Sequence, residues 1–366
     1  MLTADYVKDD TDLCGALRWG KMFTSPKKKK IVLVSLLVAL FITAFFSLFS
    51  GQIDIPLRNA LALLAYQLNI PGISNSDFTQ EQLAVVWYIR MPRMLVGLLV
   101  GASLGISGAV MQGIFANPLA DPGIIGVSSG AAAGAVLSIA LGFSAQNMFM
   151  MPAFAFCGSL FAVSLTVFLA RKNGRIPVMT LLLAGVAVGM LLGAITSGLL
   201  TFMNEQKLQQ YLFWIIGGLD YRRWEHVYIA IVPVTIGIVT MLALARHLNI
   251  LVLGDTEAKA VGMPVMFYRM GLLVVAAMTT ATSVCVSGNI GFVGLVVPHM
   301  MRMLIGPDHR MLLPASAMLG AMFLLLCDAL GRVIIPPAEI RVGIMTAVLG
   351  SPYFLYLLRK MQKDTL

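Results

Sequence analysis

Ile31-Val-Leu-Val-Ser35-Leu-Leu-Val-Ala-Leu40-Phe-Ile-Thr43-Ala-Phe-Phe-Ser47-Leu-Phe49 decides the fold class of this chain. Of these nineteen positions only Ser35, Thr43 and Ser47 are polar. At about 1.5 Å of rise per residue, such a helix crosses most of a roughly 30 Å hydrocarbon core. Comparable blocks recur to the end of the 366 residues, and charge is confined to the gaps between them: 58% of the chain is hydrophobic and 12% charged. In lipid the backbone must satisfy its own hydrogen bonds, so repeated blocks of this length mean an all-α, polytopic bundle. A soluble protein is excluded on this pattern.

The blocks predict a basic tail over 1–30 and a polytopic membrane domain over 31–366. The ten expected spans are 31–50, 91–113, 123–142, 149–170, 178–202, 223–245, 269–288, 291–305, 311–332 and 339–358. Lys27 to Lys30 stand directly before the first block, with no small-x-small cleavage site after Ser50. They mark a retained helix with a cytoplasmic start rather than a signal peptide. With ten spans both termini lie inside, and of the 26 Lys and Arg, 18 fall on inner and 8 on outer segments. The formal charge of +9 is therefore topological and points to no nucleic acid.

Several chemistries fail on residue pattern. Cys14, Cys157, Cys285 and Cys327 are scattered with no CxxC, which implies neither a disulfide framework nor a zinc site. His226, His247 and His309 stand alone at block edges. Gly15 to Met22 approaches a phosphate-binding loop but lacks the magnesium-holding Ser or Thr. Gly105-Ile-Ser107-Gly108 has the form of an intramembrane serine protease with His299 as its base. Its Gly105, however, belongs to a packing stripe of Gly97, Gly101, Gly105, Ala109 and Gly113. Gly126, Gly130 and Gly134 repeat at the same spacing, as do Gly185, Gly189, Gly193 and Ser197. These stripes let helices approach closely, and one smooth face could also line a conduit. Asp328 is the clearest carboxylate within a block, and Arg332, four residues on, shares its face. Ion-coupled transporters carry chains of intramembrane carboxylates. None is present, so a pump of this kind must draw energy from outside the chain.

A set of local sequences goes further. Arg90-Met-Pro-Arg93, Gly108-Ala-Val-Met-Gln112, and Asn117-Pro-Leu-Ala-Asp-Pro-Gly-Ile-Ile-Gly126-Val-Ser-Ser-Gly130 come first. Leu181-Leu-Leu-Ala-Gly185, Leu253-Gly-Asp-Thr-Glu-Ala-Lys-Ala-Val-Gly262, Gly288-Asn-Ile-Gly-Phe-Val-Gly-Leu-Val-Val-Pro298-His299 and Asp308-His-Arg-Met-Leu-Leu-Pro314 follow in order. Together, over about Arg90 to Leu358, they resemble the FecCD family of permeases. These are membrane subunits of ATP-binding cassette importers for ferric siderophores, haem and vitamin B12.

The resemblance implies a pair of permeases, identical or related, with the pathway at their axis. It also implies two cytoplasmic ATPases holding ATP and magnesium, and an extracytoplasmic binding protein, all in the plasma membrane. This chain itself would be no enzyme and bind no cofactor or metal. Arg90, Arg93 and Arg332 match the family's outer docking arginines. Residues 251–268 match the ATPase-coupling element. In it Asp255 is expected to cap a short helix through Glu257 and Ala258, Gly262 to end it, and Pro264 to open a second short helix. Gly254 belongs to the same element. Pro177, Val178 and Met179 match the inner gate, with Gly185, Gly189 and Gly193 above them, although here they are apolar where the vitamin B12 permease has small hydroxyl residues. The cargo order implied is ferric siderophore, then haem, then cobalamin. An ion-coupled secondary transporter is the alternative.

Overall fold

The computed structural model describes residues 25–51, 53, 55–67, 78–171 and 176–364. The tail before Ser25, with Cys14 and the Gly15–Met22 loop, lies outside the described residues.

Sixteen α-helices occur among the described residues. They are α1 Pro26–Phe49, α2 Leu57–Gln67, α3 Gln80–Leu83, α4 Met91–Ile114, α5 Val127–Ala140, α6 Phe143–Gln146, α7 Met150–Ala170 and α8 Val178–Thr201. The second half holds α9 Glu205–Ile215, α10 Trp224–Ala243, α11 Ala245–Leu251, α12 Asp255–Ala260, α13 Val265–Ser287, α14 Val293–Ile305, α15 His309–Val333 and α16 Val342–Asp364. A wide π-helical turn, Ala84–Arg90, joins α3 to α4, so that Gln80–Ile114 runs as one 35-residue rod.

Among the described residues seven helices are long and apolar enough to cross a membrane; Val127–Ala140, Val293–Ile305 and Val342–Tyr356 are shorter apolar helices. Together these fall on the ten expected spans. They alternate between a near face, where α1 begins, and a far face, where it ends. The turns after α4, α7 and α14 and the α11–α12 segment lie on the near face. The α9 segment and the turn before α16 lie on the far face.

The core is organised around α4, which packs on α15, α13, α14 and α10; α5 packs on α7 and α8, and α1 on α15. Two glycine stripes explain how backbones come this close. A Cβ on Gly101 would strike the Gly320 carbonyl, on Gly105 that of Ser316, and on Gly108 that of Gly294. Gly130 of α5 and Gly158 of α7 exclude each other's Cβ in the same way. With little hydrophobic drive between helices in lipid, such backbone contact supplies the dispersion that holds them. In the turn before α5 the left-handed residue is Gly126, while the Gly123 amide donates to Asp121 Oδ1 at 2.7 Å. While α4 is mostly buried, α1 and α8 are mostly exposed.

Candidate functional site: a far-face charge cluster, a polar recess and a near-face knob

On the far face α1 ends with unpaired carbonyls, the acceptors any helix C-terminus leaves over. Two guanidiniums take them. Arg90 donates to Leu48 O at 3.2 Å, Phe49 O at 3.0 Å and Ile53 O at 2.6 Å. Arg332 donates to Ser50 O at 2.7 Å and to Ser47 O and Oγ at 2.9 Å each. The third, Arg93, is held by three acids. It grips Asp328 through Nε and a terminal nitrogen at 3.0 and 2.8 Å, Glu339 at 2.8 Å and Asp220 at 3.1 Å. Asp328 also pairs with Arg332 at 3.2 Å, the i,i+4 contact expected from sequence.

Arg90, Arg93 and Arg332 are 6%, 8% and 5% exposed, because internal acceptors lie within reach of their five fixed donors. What the far face offers outward is a recess of about 700 Å³ with Asp220, Tyr221, Arg223, Glu339 and Arg341 at its walls. There Arg341 donates to Phe213 O at 2.7 Å and stacks 4.5 Å from the Phe213 ring. The Trp87 and Trp224 rings, 5.0 Å apart, stand beside it as an interfacial aromatic pair.

Below that face a second recess of about 310 Å³ lies between α5, α8 and α9, lined by Ser128, Ser129, Thr196, Ser197, Tyr211 and Asn289 among others. The three α8 glycines divide here. A Cβ on Gly185 would collide with the Ile124 carbonyl, one on Gly189 would sit 3.3 Å from Ser129 Oγ, and one on Gly193 would meet nothing within 4 Å. Only the upper part of the stripe therefore opens to the recess, and the recess is lined by hydroxyls and an amide rather than by a purely apolar surface. Pro177 stands at the exposed N-cap of α8 and Met179 is 71% exposed. Residues 172–175 beside them lie outside the described residues.

On the near face, α12 projects as a knob. Asp255 is not its cap: Gly254 holds that position, and the Asp255 carboxylate pairs with Arg269 of α13. The C-terminus is as expected. Gly262 has φ +78, its N–H bonds Lys259 O at 2.9 Å, and Met263 N–H reaches Ala258 O at 3.0 Å, a double closure that requires the left-handed residue. No separate second short helix forms, since Pro264 is the N-cap of the continuous α13. Leu253, Val261 and Phe267 are 67%, 69% and 74% exposed around the buried Ala258, an apolar surface on an otherwise polar face.

Beside the knob, Asn249 of α11 accepts from the His309 N–H at 2.9 Å and donates to Asp308 Oδ1 at 2.7 Å. Asp308 in turn caps α15 by accepting from Arg310 N–H at 3.1 Å. Sequence reading missed Asn249; its partners lie 59 and 60 residues away, and no local pattern marks it.

Ser107, the protease candidate, is fully buried mid-helix in α4. A nucleophile there has no access to substrate. Among the described residues no cluster of three or more His, Cys, Asp or Glu could hold a metal.

Comparison with known proteins agrees with this geometry. The chain is 48% identical over 275 residues to the cobalamin import system permease protein of Halobacterium salinarum, covering 75% of this chain and 73% of that one. It is 41% identical over 290 residues to the hemin transport system permease protein of Yersinia pestis, covering 78% and 86%. A solved metal-chelate type ABC transporter in an inward-facing conformation superposes with a TM-score of 0.79 at 34% identity, over 90% of this chain and 99% of that one. The family model described as the FecCD transport family matches residues 36–360, taking in the α1 anchor, both recesses and the knob; the chain belongs to that family.

Proposed function

We propose that the chain is the membrane-spanning subunit of an ATP-driven importer that moves a metal chelate into the cytoplasm by alternating access. The observation that carries this is the near-face knob, a short helix closed at Gly262 and ringed by exposed Leu253, Val261 and Phe267. A separate ATPase subunit grips that apolar projection, which places the near face and both termini in the cytoplasm of a cell with a plasma membrane. ATP and magnesium are held by that partner. The family's relatives named for cobalamin and hemin favour a metal macrocycle as cargo, with ferric siderophores the further member of the class.

In the mechanism, closure of two ATPases moves the knobs, and the upper α8 stripe at Gly189 and Gly193, facing the hydroxyl-lined recess, rearranges between outward and inward openings. Pro177, Val178 and Met179 form the near-face gate. An apolar constriction of this kind closes by dewetting. The weakly polar recess suits passage rather than tight binding, so selectivity rests with an extracytoplasmic binding protein seated on the far face. In that docking Arg90, Arg93 and Arg332 act chiefly by fixing the shape of the face, and Arg223, Glu339 and Arg341 present charge to the partner. Secondary transport is disfavoured because the buried span carboxylate Asp328 is already taken by two guanidiniums.

The test is uptake into proteoliposomes containing the chain with its ATPase and binding protein. ATP-dependent accumulation of a cobalamin, haem or ferric siderophore is the expected result. Accumulation on an ion gradient with no ATPase present would overturn the reading.

A further inference from the structure

A third cavity, of about 290 Å³, lies on the other face of α9 from the polar recess. Tyr211 and Ile215 look into the recess, while Gln210 and Trp214 line this cavity. Met148 and Met151 give it an apolar wall. Its polar side is made of donors. Arg222 enters it with one hydrogen bond, to Gly218 O at 3.3 Å, and its Nε is buried without a partner. The indole Nε1 of Trp214, a residue 5% exposed, is likewise buried and unpartnered. His226 accepts the Arg223 N–H at Nδ1, at 3.2 Å, which leaves a neutral ring's proton on Nε2. Gln210 Oε1 is taken by Ser144 Oγ at 3.5 Å, leaving the amide nitrogen to donate.

No carboxylate lines the cavity among the described residues. The neighbouring acid, Asp220, is already shared between Arg93 at 3.1 Å and Arg341 at 4.0 Å. Burial pushes the Arg222 guanidinium down to about 10, which still leaves it charged at neutral pH. A part-buried cation whose neighbouring acid is shared with two other arginines, and an indole N–H without an acceptor, are both costly to keep. One occupant relieves both.

We propose that this cavity binds a small anionic group, carboxylate or phosphate, carried on an apolar body, with Arg222 and Trp214 Nε1 as its anchors and the two methionines against the body. The chemistry is that of charge-assisted N–H···O⁻ bonds in a partly dry site. Such an anion could be the carboxylate arm of a small molecule or the headgroup of an anionic lipid. The inference is independent of the transport reading, since it concerns binding alone.

The test uses the full chain in phosphatidylcholine nanodiscs, with radiolabelled benzoate as probe and benzamide as its neutral counterpart in equilibrium dialysis. Saturable benzoate binding that benzamide does not displace is expected. Arg222→Gln should weaken it about tenfold or more, and Trp214→Phe, which keeps an aromatic ring and removes the N–H donor, by several-fold. Adding phosphatidylglycerol separates the sources. Displacement of benzoate by it, with retention of that lipid by wild type but not by Arg222→Gln, assigns a lipid phosphate. Undisturbed benzoate binding assigns a carboxylate. Should Arg222→Gln not survive gel filtration, Trp214→Phe decides. Neither benzoate binding nor phosphatidylglycerol retention in wild type, or equal binding in wild type and folded variants, overturns the proposal.

Discussion

Asp328 has 1% of its side chain exposed and faces two guanidiniums, Arg93 and Arg332. Removing its charge leaves both cations buried with fewer partners, and breaking a buried pair from one side costs about 3–5 kcal/mol. Arg93 keeps Asp220 and Glu339, so Asp328→Asn should fall near the lower figure, measured as a lowered thermal midpoint of the purified chain. Glycine gives a sharper contrast. Gly108→Ala drives a Cβ into the Gly294 carbonyl, a backbone atom that cannot swing away, whereas Gly193→Ala enters open space. The first should lower the midpoint by an amount equivalent to about 1–3 kcal/mol and the second should leave it unchanged. The sequence shows Gly193 on a stripe of four and Gly108 one residue off another, and gives no sign that one packs and the other opens. The difference depends on what lies opposite, and α14 opposite Gly108 is nearly two hundred residues away in the chain. The same distance hid the arginines' partners: Arg93 and Asp328 are 235 residues apart, Arg332 and Ser47 285.

At the scale of elements much more was readable, because lipid leaves a backbone few choices. The ten apolar blocks became the ten apolar helices, and the Gly262 closure of α12 followed from residue type alone. The π turn at Ala84–Arg90 and the fusion of the expected second short helix into α13 did not, since both depend on tertiary packing rather than composition. Gly262→Val forces a β-branched residue to φ +78 and should unravel the end of α12. The expected outcome is an assembled importer that hydrolyses ATP while uptake falls, read by parallel hydrolysis and uptake assays. The α15 cap gives a pH signature. Partial burial alone would raise the Asp308 carboxyl, but hydrogen bonds from Asn249 and the Arg310 N–H, with the Arg310 and Lys29 charges, hold it below the ordinary carboxylate value. A folded-state value below the unfolded one adds stability above the unfolded value, and that stability is lost as pH falls through the depressed value. Thermal midpoints of wild type should therefore decline more steeply than those of Asp308→Asn as pH is lowered through the carboxylate range.

For the whole molecule, the uneven exposure of its spans is the property that sequence could not supply, because α1 and α8 both read as apolar membrane-spanning blocks. Both are mostly exposed, yet only α8 borders the hydroxyl-lined recess, with Met179, Leu183 and Met190 at 71%, 70% and 73% exposure. A recess with polar groups cannot face hydrocarbon without leaving them unpaired. A second permease chain, were it related to the first by a two-fold axis beside α8, would close the recess into a conduit and make the contact self-complementary. On that arrangement Met190→Cys, in a chain whose Cys14, Cys157, Cys285 and Cys327 are replaced by Ser, should form an oxidant-dependent covalent dimer in native membranes. Val38→Cys on α1, 53% exposed but remote from the recess, should remain monomeric under the same oxidation. Equal cross-linking at both positions would mean random collision in the bilayer, and no cross-linking at Met190 would place lipid, not a second permease, against α8.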